Sequence, residues 1–190
     1  MKNKFLSLLY ILYFGFFMLQ AHPHVWNIAN PSFVFDKNGL QEIKIELIWD
    51  IMFSEQLILD TDKNKDNKLS EKEKKWLKTN YFDNLQPYNY LATIKINGKE
   101  YKYEKDFIAN DFDVYIDKHN QLIYDFSLPI TAKKGQTVFF SFVDPTNYIA
   151  YETNKDNIAL EGNKTILKKV SIDRDYCQFT FTIVDIEENS

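Results

Sequence analysis

Thr93-Ile94-Lys95-Ile96-Asn97-Gly98-Lys99-Glu100-Tyr101-Lys102-Tyr103 is the stretch on which the fold turns. Asn-Gly sits between two alternating runs. A two-residue hairpin loop needs positive φ at both positions, and Asn and Gly tolerate that best. The segment therefore predicts two antiparallel strands joined by a tight turn. The same grammar recurs on both sides. Val25 to Phe35 is dominated by apolar residues, and Asp36-Lys37-Asn38-Gly39 supplies a turn. Ile43, Ile45, Leu47 and Trp49 then alternate with mostly polar neighbours, as a half-buried strand does. Phe112–Ile116 and Leu122–Phe126 flank Asp117-Lys118-His119-Asn120, a further hairpin. Thr137 to Val143 reads as a strand, and Asn147–Glu152, Thr165–Ile172 and Gln178–Val184 are weaker strand signals.

Composition agrees with this reading. The 190 residues include Phe 16 and Tyr 12 against Gly 5, Pro 5 and Cys 1. An aromatic-rich chain with few breakers suits strands and excludes disordered or collagen-like classes. One cysteine excludes an intrachain disulfide scaffold, and a formal charge of −4 argues against a nucleic-acid partner. The expected fold is mainly β (α+β): an antiparallel β-sandwich-like domain over residues 22–190, with a helical insert at about 51–86 carrying an EF-hand-like loop.

The insert begins where alternation stops. Ser54–Leu59 suits a short helix, Asp60 to Ser70 is polar, and Glu71 to about Phe82 is rich in helix formers, with Pro87 expected to end it. Residues 62–73 fit a twelve-residue calcium loop. Asp62, Asn64 and Asp66 take positions 1, 3 and 5; Lys68 offers its carbonyl at position 7; Ser70 and Glu73 take positions 9 and 12. Calcium needs six to eight oxygens, and this spacing wraps them around one point. Leu69 is the apolar residue that packs such a loop. Position 6 is Asn67, the non-glycine residue that best tolerates positive φ. Six lysines crowd the loop (63, 65, 68, 72, 74 and 75), which predicts weak affinity of about 10⁻⁴–10⁻³ M. Ser70-x-x-Glu73 is also a capping box, which starts a helix without metal. A capping box leaves the oxygen side chains at 62, 64 and 66 unexplained.

Residues 1–21 combine Lys2 and Lys4, an apolar run from Phe5 to Phe17, and Ala21 before a cleavage point. This is a secretory signal pattern, too short for a span of about 20 apolar residues. Cleavage after Ala21 removes two lysines and no acids, moving the charge from −4 to −6. The expected location is exported and periplasmic, with a mature chain that does not span a membrane. His22-Pro23-His24 would then lead the chain. A freed amine beside imidazoles can hold a transition metal such as nickel, cobalt, zinc or copper. Pro23 has no N–H, so a square-planar site using successive backbone amides is excluded. A plain polar lead-in to the first strand is equally compatible with His22 and His24. Asp125 and Asp144 are candidate third ligands, though Asp144 before Pro145 fits a capping or turn role at least as well, and His119 reads as a turn residue.

The stretch Ala21-His22-Pro23-His24-Val25-Trp26, the Asp-rich loop with Leu69-Ser70, Leu128-Pro129, and Asp144-Pro145-Thr146 followed by Tyr148 and Tyr151-Glu152 together resemble the domain-of-unknown-function family numbered 1007. The resemblance covers essentially all of the mature chain. Two positions differ from the family pattern: Asn67 where Gly is usual, and Asp125 where His is common. The resemblance implies an exported accessory protein of transport systems, near nickel/cobalt-type metal permeases. The expected function is a periplasmic metal-binding accessory protein with a structural calcium site. The alternative is a non-catalytic module docking on a membrane permease. Nucleophile-elbow, phosphate-loop and His-Glu-x-x-His motifs are absent, so no enzymatic activity is expected beyond a residual copper-dependent oxidase reading.

Overall fold

The computed structural model describes residues 24–101, 107–144, 146, 148–154, 159–162 and 166–184. The expected signal segment 1–21 and His22 lie outside them.

The strands are β1 (Val25–Asp36), β2 (Gly39–Ile48), β3 (Ala92–Ile96), β4 (Lys99–Glu100), β5 (Asn110–Ile116), β6 (Leu122–Leu128), β7 (Ala132–Lys133), β8 (Thr137–Phe142), β9 (Ile149–Glu152), β10 (Ala159–Gly162), β11 (Ile166–Asp173) and β12 (Gln178–Val184). Between β2 and β3 lie helix α1 (Ile51–Thr61) and helix α2 (Glu71–Leu77). A π-helical turn (Lys78–Phe82) and a 3-10 segment (Asp83–Leu91) follow. The molecule is mainly β.

The first sheet runs β10-β1-β2-β6-β5, with β7 added to β2 and β9 added to β1. The second runs β11-β12-β8-β3-β4. The hairpins read from sequence form: β1 with β2, β3 with β4, and β5 with β6, all antiparallel. At the Asn-Gly turn, Asn97 has φ 52° and Gly98 φ 76°, as the primed turn demands.

The mainly antiparallel arrangement expected from sequence is refined in one respect: the first sheet is mixed. β9 pairs parallel with Val25–Ile28 and β10 parallel with Ser32–Phe35, so two short strands share one edge of β1. Both follow β8, a strand of the other sheet, and reach β1 from across the domain. Period-two alternation reports burial, not strand direction. The short β10 and β7 carry too little alternation to be read. Gly162 ends β10, where a Cβ would lie 2.2 Å from the Phe35 carbonyl oxygen.

The inner face of the first sheet is covered in two halves. Over β1 lies the second sheet. Phe33 meets Phe140, Phe179 and Phe181 edge-on, with centroids 5.9, 5.8 and 4.8 Å away. Over β5 and β6 lies the helical stretch. Phe82 stacks on Phe112 at 4.0 Å and meets Tyr124 and Phe126 edge-on. Phe33, Phe82, Phe140 and Phe181 are fully buried. Truncating any of these rings to Ala costs about 3–5 kcal/mol.

The helical stretch continues past Pro87, which fits a 3-10 turn because its fixed φ is helical. It ends where Asn89, Tyr90 and Leu91 take φ 54°, 53° and 63°. Each such non-glycine residue is strained by about 1–2 kcal/mol. Burial of Tyr90, whose hydroxyl accepts the Ala109 N–H at 3.1 Å, holds the turn.

Candidate metal site

Helix α1 has one candidate metal motif near each end. At its start, Asp50 caps the helix by accepting the Phe53 N–H at 2.8 Å, and its other oxygen accepts the Trp26 N–H at 2.8 Å. This ties the beginning of β1 to the helix. His24 lies two residues before Trp26. Its backbone N–H donates to the Tyr148 carbonyl at 2.8 Å, and its ring sits 5.2 Å from that of Tyr148. Eleven residues of helix, about 16 Å, separate this end from the loop. His24 and the loop are thus parts of two places, not one.

At the other end lies the Asp-rich loop, folded around Asp62. Asp62 is 6 % exposed. One carboxylate oxygen accepts N–H groups from Lys65 at 2.8 Å and Asp66 at 3.3 Å, and the other accepts from Asn67 at 2.9 Å. The chain therefore curls around this carboxylate. Asp66 accepts from the Lys68 N–H at 2.9 Å and from the Asn64 side-chain amide at 2.9 Å. Asn67 has φ 59°, the left-handed conformation for which position 6 normally uses glycine. Its side chain donates to Asn120 at 2.9 Å, docking the loop on the β5–β6 turn. Leu69 is partly buried against the core.

Glu73 closes the loop. One oxygen accepts the Lys63 N–H at 2.9 Å; the other accepts the Ser70 N–H at 2.9 Å and its hydroxyl at 2.6 Å. The Ser70 hydroxyl oxygen in turn accepts the Glu73 N–H at 3.4 Å, completing the capping box that starts α2. The Ser70 hydroxyl bond, followed by the Ser70 and Lys63 N–H groups, holds the Glu73 carboxyl below the usual carboxylate range.

The donor set is all oxygen and suits a hard cation. Asp62, Asn64, Asp66, the Lys68 carbonyl, Ser70 and Glu73 would hold calcium, which would supply charge and cross-linking to the turn. Among the described residues, no group of three His, Cys, Asp or Glu side chains is placed to hold a metal ion. Asp62, Asp66 and Glu73 are thus not brought together as such a group. Thr61 was not foreseen. Its hydroxyl is buried without a hydrogen-bond partner, and it lines a cavity of about 320 Å³ with Asn64, Ser70 and Glu73. Only its position, one residue before Asp62, could have marked it.

The lysine field is weaker than their number suggests. Lys74 pairs with Asp113 at 2.6 Å and with Glu71 at 3.6 Å, and the Asp113 bond leads in raising its pKa. Lys63 lies over the Trp76 ring at 5.6 Å.

Elsewhere, Asp144 organises its own loop. Its oxygens accept from Thr146 N–H and hydroxyl, Tyr148 N–H and Ile149 N–H. Partial burial opposes its charge, but these four bonds outweigh it and hold the pKa below the usual value. His119 lies exposed in the β5–β6 turn, its N–H on Asp117 at 2.8 Å. Asp125 is half-buried on β6, remote in sequence from both motifs. Cys177 is fully buried, and burial pushes its thiol up to about 12, which leaves it inert.

The family described as a protein of unknown function, DUF1007, matches residues 7–182. The chain belongs to this family. No curated protein and no solved structure matches it. The family match spans both motifs, from the His-Pro-His lead-in through the Asp-rich loop. No helix among the described residues is long and apolar enough to cross a membrane.

Proposed function

We propose that this member of the family is an exported metal-binding accessory protein serving metal-ion transport or homeostasis, with a weak calcium clip at Asp62–Glu73. The observation that carries the reading is the loop itself. Six oxygen donors at calcium-loop spacing sit on a chain already curled around Asp62, with Asn67 in the required left-handed conformation. Calcium shares Glu73 with the capping box and Asp62 with three backbone N–H groups, which keeps affinity weak. Asp62 Oδ2 and Glu73 Oε1 each accept one N–H and keep a second lone pair, so sharing through them does not require the bonds to break.

In this reading His22 and His24 form a separate transition-metal site at the freed amino terminus, with nickel, cobalt, zinc or copper as the ion. The basic-then-apolar pattern of residues 1–21 supports export to the periplasm. Competition titrations on tag-free protein beginning at His22 test this half: His22→Ala/His24→Ala should lower affinity for the bound ion by tenfold or more, about 1.4 kcal/mol. Unchanged affinity for all four ions removes the histidine site and leaves the calcium clip standing.

A second reading is favoured by the exposed apolar residues Trp26, Ile51 and Met52 around the Asp50 junction. They suit a module that docks on a membrane permease without holding cargo. Capture of the permease by metal-free protein supports this reading, and a strict metal requirement supports the first.

A further inference from the structure

Helix α1 is apolar on both of its sides. Its buried side carries Ser54, Leu57 and Thr61. Ile51, Met52, Glu55, Gln56 and Leu59 fall within about 140° of one another around the axis, and all five are exposed. Met52 is 77 % and Leu59 69 % exposed. A surface helix ordinarily turns its polar side to water. Here two hydroxyls are inside and three large apolar side chains are outside. The buried Ser54 has its reason: its hydroxyl donates to the Trp49 carbonyl at 3.2 Å and accepts the Leu122 N–H at 2.9 Å. The outer apolar residues find no cover among the described residues. Trp76, 40 % exposed, extends the surface past the end of the helix, where the Lys63 ammonium lies over its ring at 5.6 Å.

The charges on this face have a direction. Glu55 stands four residues before Leu59, and Lys63 four residues after it. Among the described residues neither Glu55 nor the Lys63 ammonium makes an ion pair. A two-fold axis at Leu59 lays two such faces antiparallel. Leu59 then meets Leu59, Glu55 of each copy meets Lys63 of the other, and the helix dipoles oppose. Parallel packing would set like charges together. A strongly charged partner is matched less well, because residues 51–86 carry seven lysines and seven acids and so no net charge.

We propose that the outer face of α1 is the interface of a two-fold symmetric dimer, with a second copy of this chain as its occupant. Leu59 forms its apolar centre with Met52 and Ile51 around it, and Glu55 and Lys63 set its antiparallel register. The dimer goes beyond the functional readings above and needs neither a metal ion nor a permease.

Sedimentation velocity of the tag-free protein beginning at His22 tests it, in EDTA and at concentrations up to about 0.1 mM, since standard-sized interfaces reach micromolar affinity or better. The wild type should approach twice the monomer mass as concentration rises. Leu59→Glu, at the dyad, should stay monomeric with an unchanged melting temperature. Glu55→Lys and Lys63→Glu should each weaken association about tenfold or more, and Glu55→Lys/Lys63→Glu should return it to within a few-fold of wild type. Should Lys63→Glu disturb the neighbouring loop, Glu55→Lys and Leu59→Glu decide the matter. A monomeric wild type, a dimer indifferent to Leu59→Glu, or a folded double variant no tighter than the single ones overturns the proposal. A monomer that instead sediments with phosphatidylglycerol vesicles assigns the face to a lipid surface and overturns it as well.

Discussion

The Asp62–Glu73 loop and a recess on the first sheet, lined by Asn30, Lys44, Glu46, Asp111, Asp125 and Ser127, both carry carboxylates, but they treat their polar groups in opposite ways. In the loop every carboxylate is a scaffold. Asp62 holds three backbone N–H groups, and Glu73 holds Lys63 and Ser70. In the recess the buried Ser127 hydroxyl is left unpaired, and Asp111 takes φ 54°. A loop built this way keeps its shape without an ion. A recess built this way is held open by the sheet around it. Removing polar groups should therefore destabilise the loop and spare the recess.

The largest effect belongs to Asp62. Asp62→Ala deprives three backbone N–H groups of their acceptor beside the buried end of α1, and metal-free protein should lose about 2–3 kcal/mol in urea unfolding. A loss under about 0.5 kcal/mol would place the loop's shape elsewhere. Next comes Ser70→Ala, which removes the cap of α2 and should cost about 1 kcal/mol. Acid acts on the same bonds. Glu73 and Asp144 have folded pKa values below their unfolded ones, so their contribution is complete above the ordinary carboxylate range. It is lost as pH falls through the folded values. Stability followed by circular dichroism should therefore be flat above about pH 5 and drop below about pH 4, less steeply in Glu73→Gln. Smallest is Ser127→Ala, within about 0.5 kcal/mol of wild type, because no hydrogen bond is lost. A loss above about 1 kcal/mol would make that hydroxyl structural and erase the contrast.

The two regions also differ in how far they could be read. The loop is local: twelve consecutive residues contain its carboxylate-centred turn, its left-handed Asn67 and its capping box, so the turn and the cap were legible from spacing. The hairpins were legible for the same reason, since Asn97-Gly98 states its own turn. The recess draws on β1, β2, β6 and the bulge before β5. It exists only once Ser32–Lys44 and Lys44–Ser127 are brought side by side. Asn30 and Ser32, two of the three polar residues in the Val25–Phe35 run, were its sequence trace. Strand direction was hidden likewise, because β9 and β10 choose the edge of β1 through tertiary contacts. The helical stretch ran to Leu91 because burial of Tyr90 supports left-handed residues that local preference disfavours.

The most direct test of the calcium clip is thermal unfolding of the tag-free protein with calcium raised to 10 mM. For affinities of about 10⁻⁴–10⁻³ M, saturation should add about 1.4–2.7 kcal/mol, a rise of several degrees in Tm. Asp62→Ala/Glu73→Ala should show no rise while Asp125→Asn keeps it in full. A wild-type Tm that does not move with calcium, or a rise that survives in the double variant, contradicts the account.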